Sequence, residues 1–216
     1  MECNELIHNV KVFGLTDAIR RSKYADVADV VTATGTVTPA TKFLGASPIG
    51  AGLDRFLSGI VVQFDLTLSK DAWAEIEHYE HFDIIGRQST ISSIQSFDLD
   101  SSYINYVDPR IIVIMHELQD EYNRLIVSDD PEDLPLAREA YLKLLYSNPV
   151  GCRLTAGIST NYLELKTIYL QHRHSKLPEL RVFCSWIETL PQFYELILKS
   201  KLKNHRITRE EIEGKE

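Results

Sequence analysis

The chain has only three cysteines, Cys3, Cys152 and Cys184, and they show no metal-ligand spacing. An odd, sparse set excludes a disulfide framework and predicts a reducing, cytoplasmic setting. No apolar run approaches the ~20 residues of a membrane span, and the start lacks a basic-then-apolar leader. No membrane partner is expected. Positive charge is in deficit too: 23 Lys and Arg face 31 Asp and Glu, a formal net charge of −8. A general nucleic-acid binder needs a basic face to release counterions, so nucleic acid is not expected as a partner. His-Glu-x-x-His is missing, and His78 and His81, three apart with Glu77 and Glu80 alternating, would need at least one more ligand to hold zinc, so no metal site is expected.

What is present is the material of an ordinary globular core. The 216 residues, 44% hydrophobic and 25% charged, suffice for one domain with a small appendage. Val10 to Phe13 alternates weakly as a strand would, and Leu15 to Tyr24 reads as a short helix. Thr32 to Thr41 (TATGTVTPAT) reads as an extended loop or ribbon, followed by a run of closely spaced glycines from Gly45 to Gly59. In GIVVQFDLTL, Val62, Phe64, Leu66 and Leu68 alternate with polar residues, the pattern of a half-buried strand. Ser69 is placed to cap a helix over Asp71 to Phe82, and a β-prone segment broken by Gly86 follows. Helices are predicted over Pro109 to Ile126 and Pro131 to Tyr146, and a strand over Cys152 to Ile158. The order predicts an α+β fold: a small, mainly antiparallel sheet packed by long helices. The expected divisions are 1–58, an N-terminal extension with a Thr/Gly/Pro-rich loop; 59–200, the α+β core; and 201–216, a polar tail.

The densest group of donors lies in TNYLELKTIYLQHRHSKLPELRVFCSWIETLP, residues 160–191. Thr160 or Asn161 can cap a helix that ends in Gln171-His172-Arg173-His174; Pro178 then suits the first turn of a second helix, which Pro191 stops. Cations at a helix C-terminus complement the macrodipole without any ligand. They also suit an anion, most simply a phosphate. A second group, Gly86-Arg87-Gln88-Ser89-Thr90, combines a glycine with common phosphate donors, although a polar surface turn has the same composition. Arg153 is a further candidate cation. No catalytic constellation stands out. Cys184 falls on the apolar stripe of its helix, and Trp73 and Trp186 read as packing anchors.

The element order, together with Leu170-Gln171-His172-Arg173 at the turn between two helices, resembles the flavin-dependent thymidylate synthases, most like the diverged forms found in bacteriophages. In that family a Leu-x-Leu-Arg-like turn grips the deoxynucleotide, which implies that role for Arg173. The resemblance covers 136–190 and, less closely, 60–93, but not 1–58. The family signature Arg-His-Arg-x-x-Ser-x-Asn-Glu-x-Ser-x-Arg-Tyr is met here by HFDIIGRQSTISSIQSF, with one Arg and neither the Asn-Glu pair nor the closing Arg-Tyr. Glu164 stands where the family places an arginine. The resemblance implies a homotetramer and a nucleotide-type ligand gripped by Arg173; by their donor chemistry Arg87, Gln88, Ser89, Thr90, Arg153 and His172 are the further expected ligand-binding residues. The missing signature leads to the expectation of no cofactor and no catalysis: a protein that captures a phosphorylated nucleotide, such as a phage sponge sequestering a cyclic or ADP-ribose immune signal. The alternative is a diverged flavin-dependent thymidylate synthase, or a methyl or hydroxymethyl transferase on a deoxyuridine nucleotide, with FAD. Under a third, scaffold reading, a carboxylate such as Glu164 or Glu179 would neutralise Arg173.

Overall fold

In the computed structural model, residues 3–198 are described, so the expected polar tail lies outside them. The elements in chain order are α1 (Cys3–Leu6), β1 (Ile7–Phe13), α2 (Leu15–Arg21), α3 (Pro39–Gly45), β2 (Val61–Ser69), α4 (Lys70–Ile76), β3 (Asp83–Arg87), α5 (Thr90–Ser93), α6 (Pro109–Ile126), α7 (Asp133–Ser147), β4 (Arg153–Asn161), α8 (Tyr162–His172) and α9 (Pro178–Thr189). The strands form one small antiparallel sheet in the order β1-β2-β4-β3, which is the expected α+β class. β2 and β4 are the central strands, and every second residue of each is buried: Val62, Phe64, Leu66 and Leu68 on one, Leu154, Ala156, Ile158 and Thr160 on the other. That alternation sets the register, since a one-residue slip would turn each apolar set to the opposite face.

The chain forms two compact units whose borders fall inside β2, α4, β3 and β4. Among the described residues the first unit comprises 3–65, 76–84 and 158–198, so α1, β1, α2 and α3 share a unit with α8 and α9. Its core is aromatic. Phe64 lies 4.7 Å from Trp186 and 5.9 Å from Phe183 between ring centroids, and Phe82 meets both Phe64 and Phe183 edge-on. α8 buries Tyr162, Leu165, Ile168 and Tyr169, and also Glu164 and Lys166. Its cap is Asn161, whose Oδ1 accepts the Glu164 N–H at 3.0 Å. Thr160, the other candidate, donates its hydroxyl to the His81 carbonyl instead.

The second unit comprises 66–75 and 85–157. The antiparallel pair α6 and α7 dominates it. Met115, Leu144, Ile94, Leu99, Tyr103 and Cys152 form one cluster, and Leu125, Ala137 and Ala140 a second. Trp73 anchors α4 by donating Nε1–H to the Leu154 carbonyl at 2.9 Å.

Three expected elements are corrected. The helix predicted to reach Phe82 ends at Ile76. The next residues turn, because the His81 N–H donates to Glu164 Oε2 (3.1 Å) and its carbonyl accepts from Thr160 Oγ1 (2.7 Å). Those side chains replace the bonds a helix would have made, and the turn delivers Phe82 to the core. The segment expected to be extended over 32–41 instead starts α3, with Thr38 as a side-chain cap and Pro39 in the first turn. The β-prone segment after Phe82 contains only β3 before α5 begins at Thr90.

Candidate functional site

The donors predicted from sequence fall into two groups, one in each unit. In the first unit, α8 runs from the Asn161 cap to His172, and Arg173 follows as the C-terminal cap residue, its N–H bonded to the Tyr169 carbonyl at 3.0 Å. The Arg173 side chain is exposed, with its guanidinium 5.9 Å from the Tyr169 ring centroid. A guanidinium at that distance gains from the ring face, and Arg173 also acts on the Tyr169 hydroxyl through a hydrogen bond. Tyr169 is held on its other side by Glu188, to which its hydroxyl donates at 2.6 Å. Burial, with Glu188 adding to it, pushes the Tyr169 phenol up to about 12. The Cys184 thiol is likewise pushed up to about 12, by burial first and Glu188 second, so it is protonated at neutral pH.

His172 is fixed by a neighbouring aromatic group. Tyr79 donates its hydroxyl proton to Gln171 Oε1, and His172 Nε2 lies 2.8 Å from the same tyrosine oxygen. Which of the two atoms donates follows the imidazole tautomer. His78 stacks on Tyr79 at 4.7 Å. The Tyr79 turn therefore sets the orientation of the Gln171-His172-Arg173 end of α8.

Glu164, noted as an acidic residue in an unfavourable place, is buried and turned inward to the His81 N–H. Its charge is consumed in holding that turn. It does not serve as the internal counter-ion to Arg173 that the scaffold reading calls for.

In the second unit, Arg87 closes β3, exposed, with its guanidinium 6.0 Å from the Trp73 ring centroid. Ser89 and Thr90 follow at the start of α5, and the Ser89 hydroxyl makes no capping bond. Gln88 is engaged in the sheet. Its backbone N–H donates to the Thr155 carbonyl at 3.0 Å, and its Oε1 accepts the Thr155 N–H at 2.8 Å, extending the β3–β4 pairing by one residue. Arg153 donates to the Ser101 carbonyl at 2.5 Å. Gln88 and Arg153 thus spend donor or acceptor capacity on backbone within their own unit. Among the described residues, no helix is long and apolar enough to cross a membrane.

A buried charge that sequence reasoning missed is Lys166. It is wholly buried, and its ammonium meets Asp54 Oδ2 at 2.5 Å and the carbonyls of Ser47 at 2.6 Å and Gly45 at 3.0 Å. The available signal was a lone lysine inside a helix whose neighbours are almost all apolar.

No protein-family model matches the chain, and no curated protein does. Solved structures do. One is the flavin-dependent thymidylate synthase ThyX from Helicobacter pylori complexed with FAD and dUMP, at 12% identity and a TM-score of 0.62, covering 93% of this chain and 99% of that one. A second structure of ThyX from Helicobacter pylori, also with FAD and dUMP, gives 12% identity, a TM-score of 0.61 and coverage of 92% and 98%. At that identity the likeness is one of fold, and it extends over almost all of both chains. The expectation of no cofactor is corrected by it: both of these structures hold FAD, so the missing arginine signature is not sufficient ground for a cofactor-free protein.

Proposed function

We propose that this chain binds a deoxyuridine-type nucleotide and FAD, and acts as a diverged flavin-dependent thymidylate synthase or a related methyl or hydroxymethyl transferase. The observation that carries the reading is the end-to-end likeness to solved structures described with FAD and dUMP. It is favoured over sequestration of a cyclic or ADP-ribose signal by a phage protein, for which no structural feature speaks. The donor chemistry fits an anionic cofactor. Arg87, Ser89 and Thr90 form a group exposed or half-exposed to solvent. Arg87 with Ser89 and Thr90 would hold the diphosphate of FAD, and Arg173 with His172 the nucleotide phosphate, through charge-assisted and partly bidentate hydrogen bonds. FAD, if bound and first reduced by an external two-electron donor, would supply the electrons that reduce the one-carbon unit on the pyrimidine.

We also read the chain as a cytoplasmic homo-oligomer, a tetramer as the family resemblance of its sequence implies. Ile114, Leu134 and Leu142 on α6 and α7 are each about half exposed, more apolar surface than a solvated helix pair normally carries. Purification without added cofactor, followed by the absorption spectrum and calorimetry with FAD, dUMP and a panel of cyclic and ADP-ribose nucleotides, tests the reading. Absorption near ~450 nm, or saturable binding of both FAD and dUMP, is the expected result. Binding of a cyclic or ADP-ribose nucleotide with neither FAD nor dUMP would return the sequestration reading to first place.

A further inference from the structure

The two edges of the sheet are built differently. β1 is a guarded edge: Asn9 sits in the left-handed region at φ 54°, its side chain donates to Asp65 Oδ2 at 2.5 Å, and Lys11 follows. A kink and a lysine are common ways to stop an edge strand from pairing. β3, at the other edge, has neither. Its five residues, Asp-Ile-Ile-Gly-Arg, carry no proline, lysine or left-handed residue, and Ile85 at the centre is 67% exposed. A Cβ built on Gly86 would meet nothing within 4 Å.

The direction of the outward-facing backbone follows from one bond. The Gln88 N–H points to β4, where it meets the Thr155 carbonyl. Backbone groups alternate along a strand. Those of Ile84 and Gly86 therefore also point to β4, and those of Asp83, Ile85 and Arg87 point away from the sheet. The side chains of these same three residues share one face of the strand.

We propose that β3 is the pairing edge of a homodimer, in which two copies of the strand join antiparallel across a two-fold axis at Ile85. In that register Ile85 faces Ile85 of the second copy, and Asp83 faces Arg87 in both directions. The three outward-pointing residues become hydrogen-bonded cross-strand pairs, and the two sheets merge into one of eight strands. The occupant is chosen by charge: DIIGR is its own complement when reversed, with an acid opposite a base at both ends. A parallel arrangement of the same strands would set like charge beside like charge. Opposite charges directly across an antiparallel pair are stabilising, and like charges are destabilising. The inference is independent of which nucleotide the protein binds.

The experiment that decides is the mass in solution of the full chain, by light scattering and sedimentation, with Asp83→Arg and Arg87→Asp each alone and then mixed. The wild type should be an oligomer, and each single variant should fall to half its mass, because each sets two like-charge pairs across the axis. An equimolar mixture of the two variants should regain the wild-type mass. In the mixed dimer one strand carries a base at both ends and its partner an acid at both ends, so every charge again meets its complement. A monomeric wild type, or single variants that keep its mass while folded by circular dichroism, overturns the proposal. So does a mixture of folded variants that stays at half mass. If either variant fails to fold, Ile85→Cys decides. Hydrogen-bonded antiparallel partners lie ~5.5 Å apart at Cα, a gap that a short thiol-to-thiol cross-linker spans. Treatment with that cross-linker should yield a covalent dimer linked through position 85 by mass spectrometry, and failure to form it overturns the proposal. Pairing of β3 with residues 199–216 of its own chain, or with some other protein, also predicts no such link.

Discussion

The ammonium of Lys166 lies 2.5 Å from Asp54 Oδ2, with the two side chains 0% and 4% exposed. Its other two protons go to the carbonyls of Ser47 and Gly45. All three donors are thus used, the condition under which a buried charge is tolerated. The pair fastens the glycine-rich segment after α3 to the middle of α8. That segment had the composition of a loop that could approach a ligand; here its carbonyls approach a lysine.

Removing one partner leaves the other charged and buried. Lys166→Met or Asp54→Ala alone should cost ~3–5 kcal/mol of unfolding free energy, whereas the combined apolar replacement of both should recover most of it. Urea denaturation of the two single variants and the double variant measures this. Additive losses in the double variant would show that the residues do not act as a pair.

Gly45 occupies a place without room for a methyl group. A Cβ there would lie 2.6 Å from the Leu196 carbonyl oxygen, which is backbone and cannot rotate away. Gly45→Ala should lower stability by ~1–3 kcal/mol through overpacking. Gly50→Ala makes a useful contrast: it meets no atom, but its φ of 86° makes it strained for a different reason. A Gly45→Ala variant as stable as wild type would mean that the Leu196 turn moves freely.

Tyr103, Tyr162 and Tyr169 all have their phenol pKa raised, each with burial as the largest cause, and Tyr169 to about 12. The folded state therefore keeps protons that the unfolded state loses near the ordinary phenol value of ~10. With more protons bound in the native state, stability falls as pH rises. This contribution should be whole below pH ~10 and diminish toward pH 12 and above. Denaturation midpoints at pH 8, 10 and 11.5 should decline over the last interval; a flat profile would place these phenols in water.

Arg173→Ala should weaken the protein's nucleotide by ~30-fold or more if the guanidinium is fully desolvated by the ligand. Arg173→Lys should recover only part, because an ammonium cannot reproduce the planar fork. His172 should matter less, since Tyr79 already engages its Nε2. Calorimetry with dUMP compares these variants, and unchanged affinity in folded Arg173→Ala would move the phosphate elsewhere.

The α+β class, both central strands and the long helices α6 to α9 were legible in the sequence, because alternation, helical period and caps act over a few residues. Asn161 before the Tyr162 helix and Asp108-Pro109 before α6 are such signals. So is Thr38-Pro39 at α3, which the surrounding threonines concealed. Tertiary structure alone decided where the helix after Ser69 ends, since its terminators, Thr160 and Glu164, stand about 80 residues further on. It also decided that Gln88 and Arg153 spend hydrogen bonds on backbone, and that Lys166 finds Asp54 across 112 residues of chain. Local propensity is a property of a short window. A buried charge or a terminated helix is settled by desolvation, which depends on what the rest of the folded chain brings to that point.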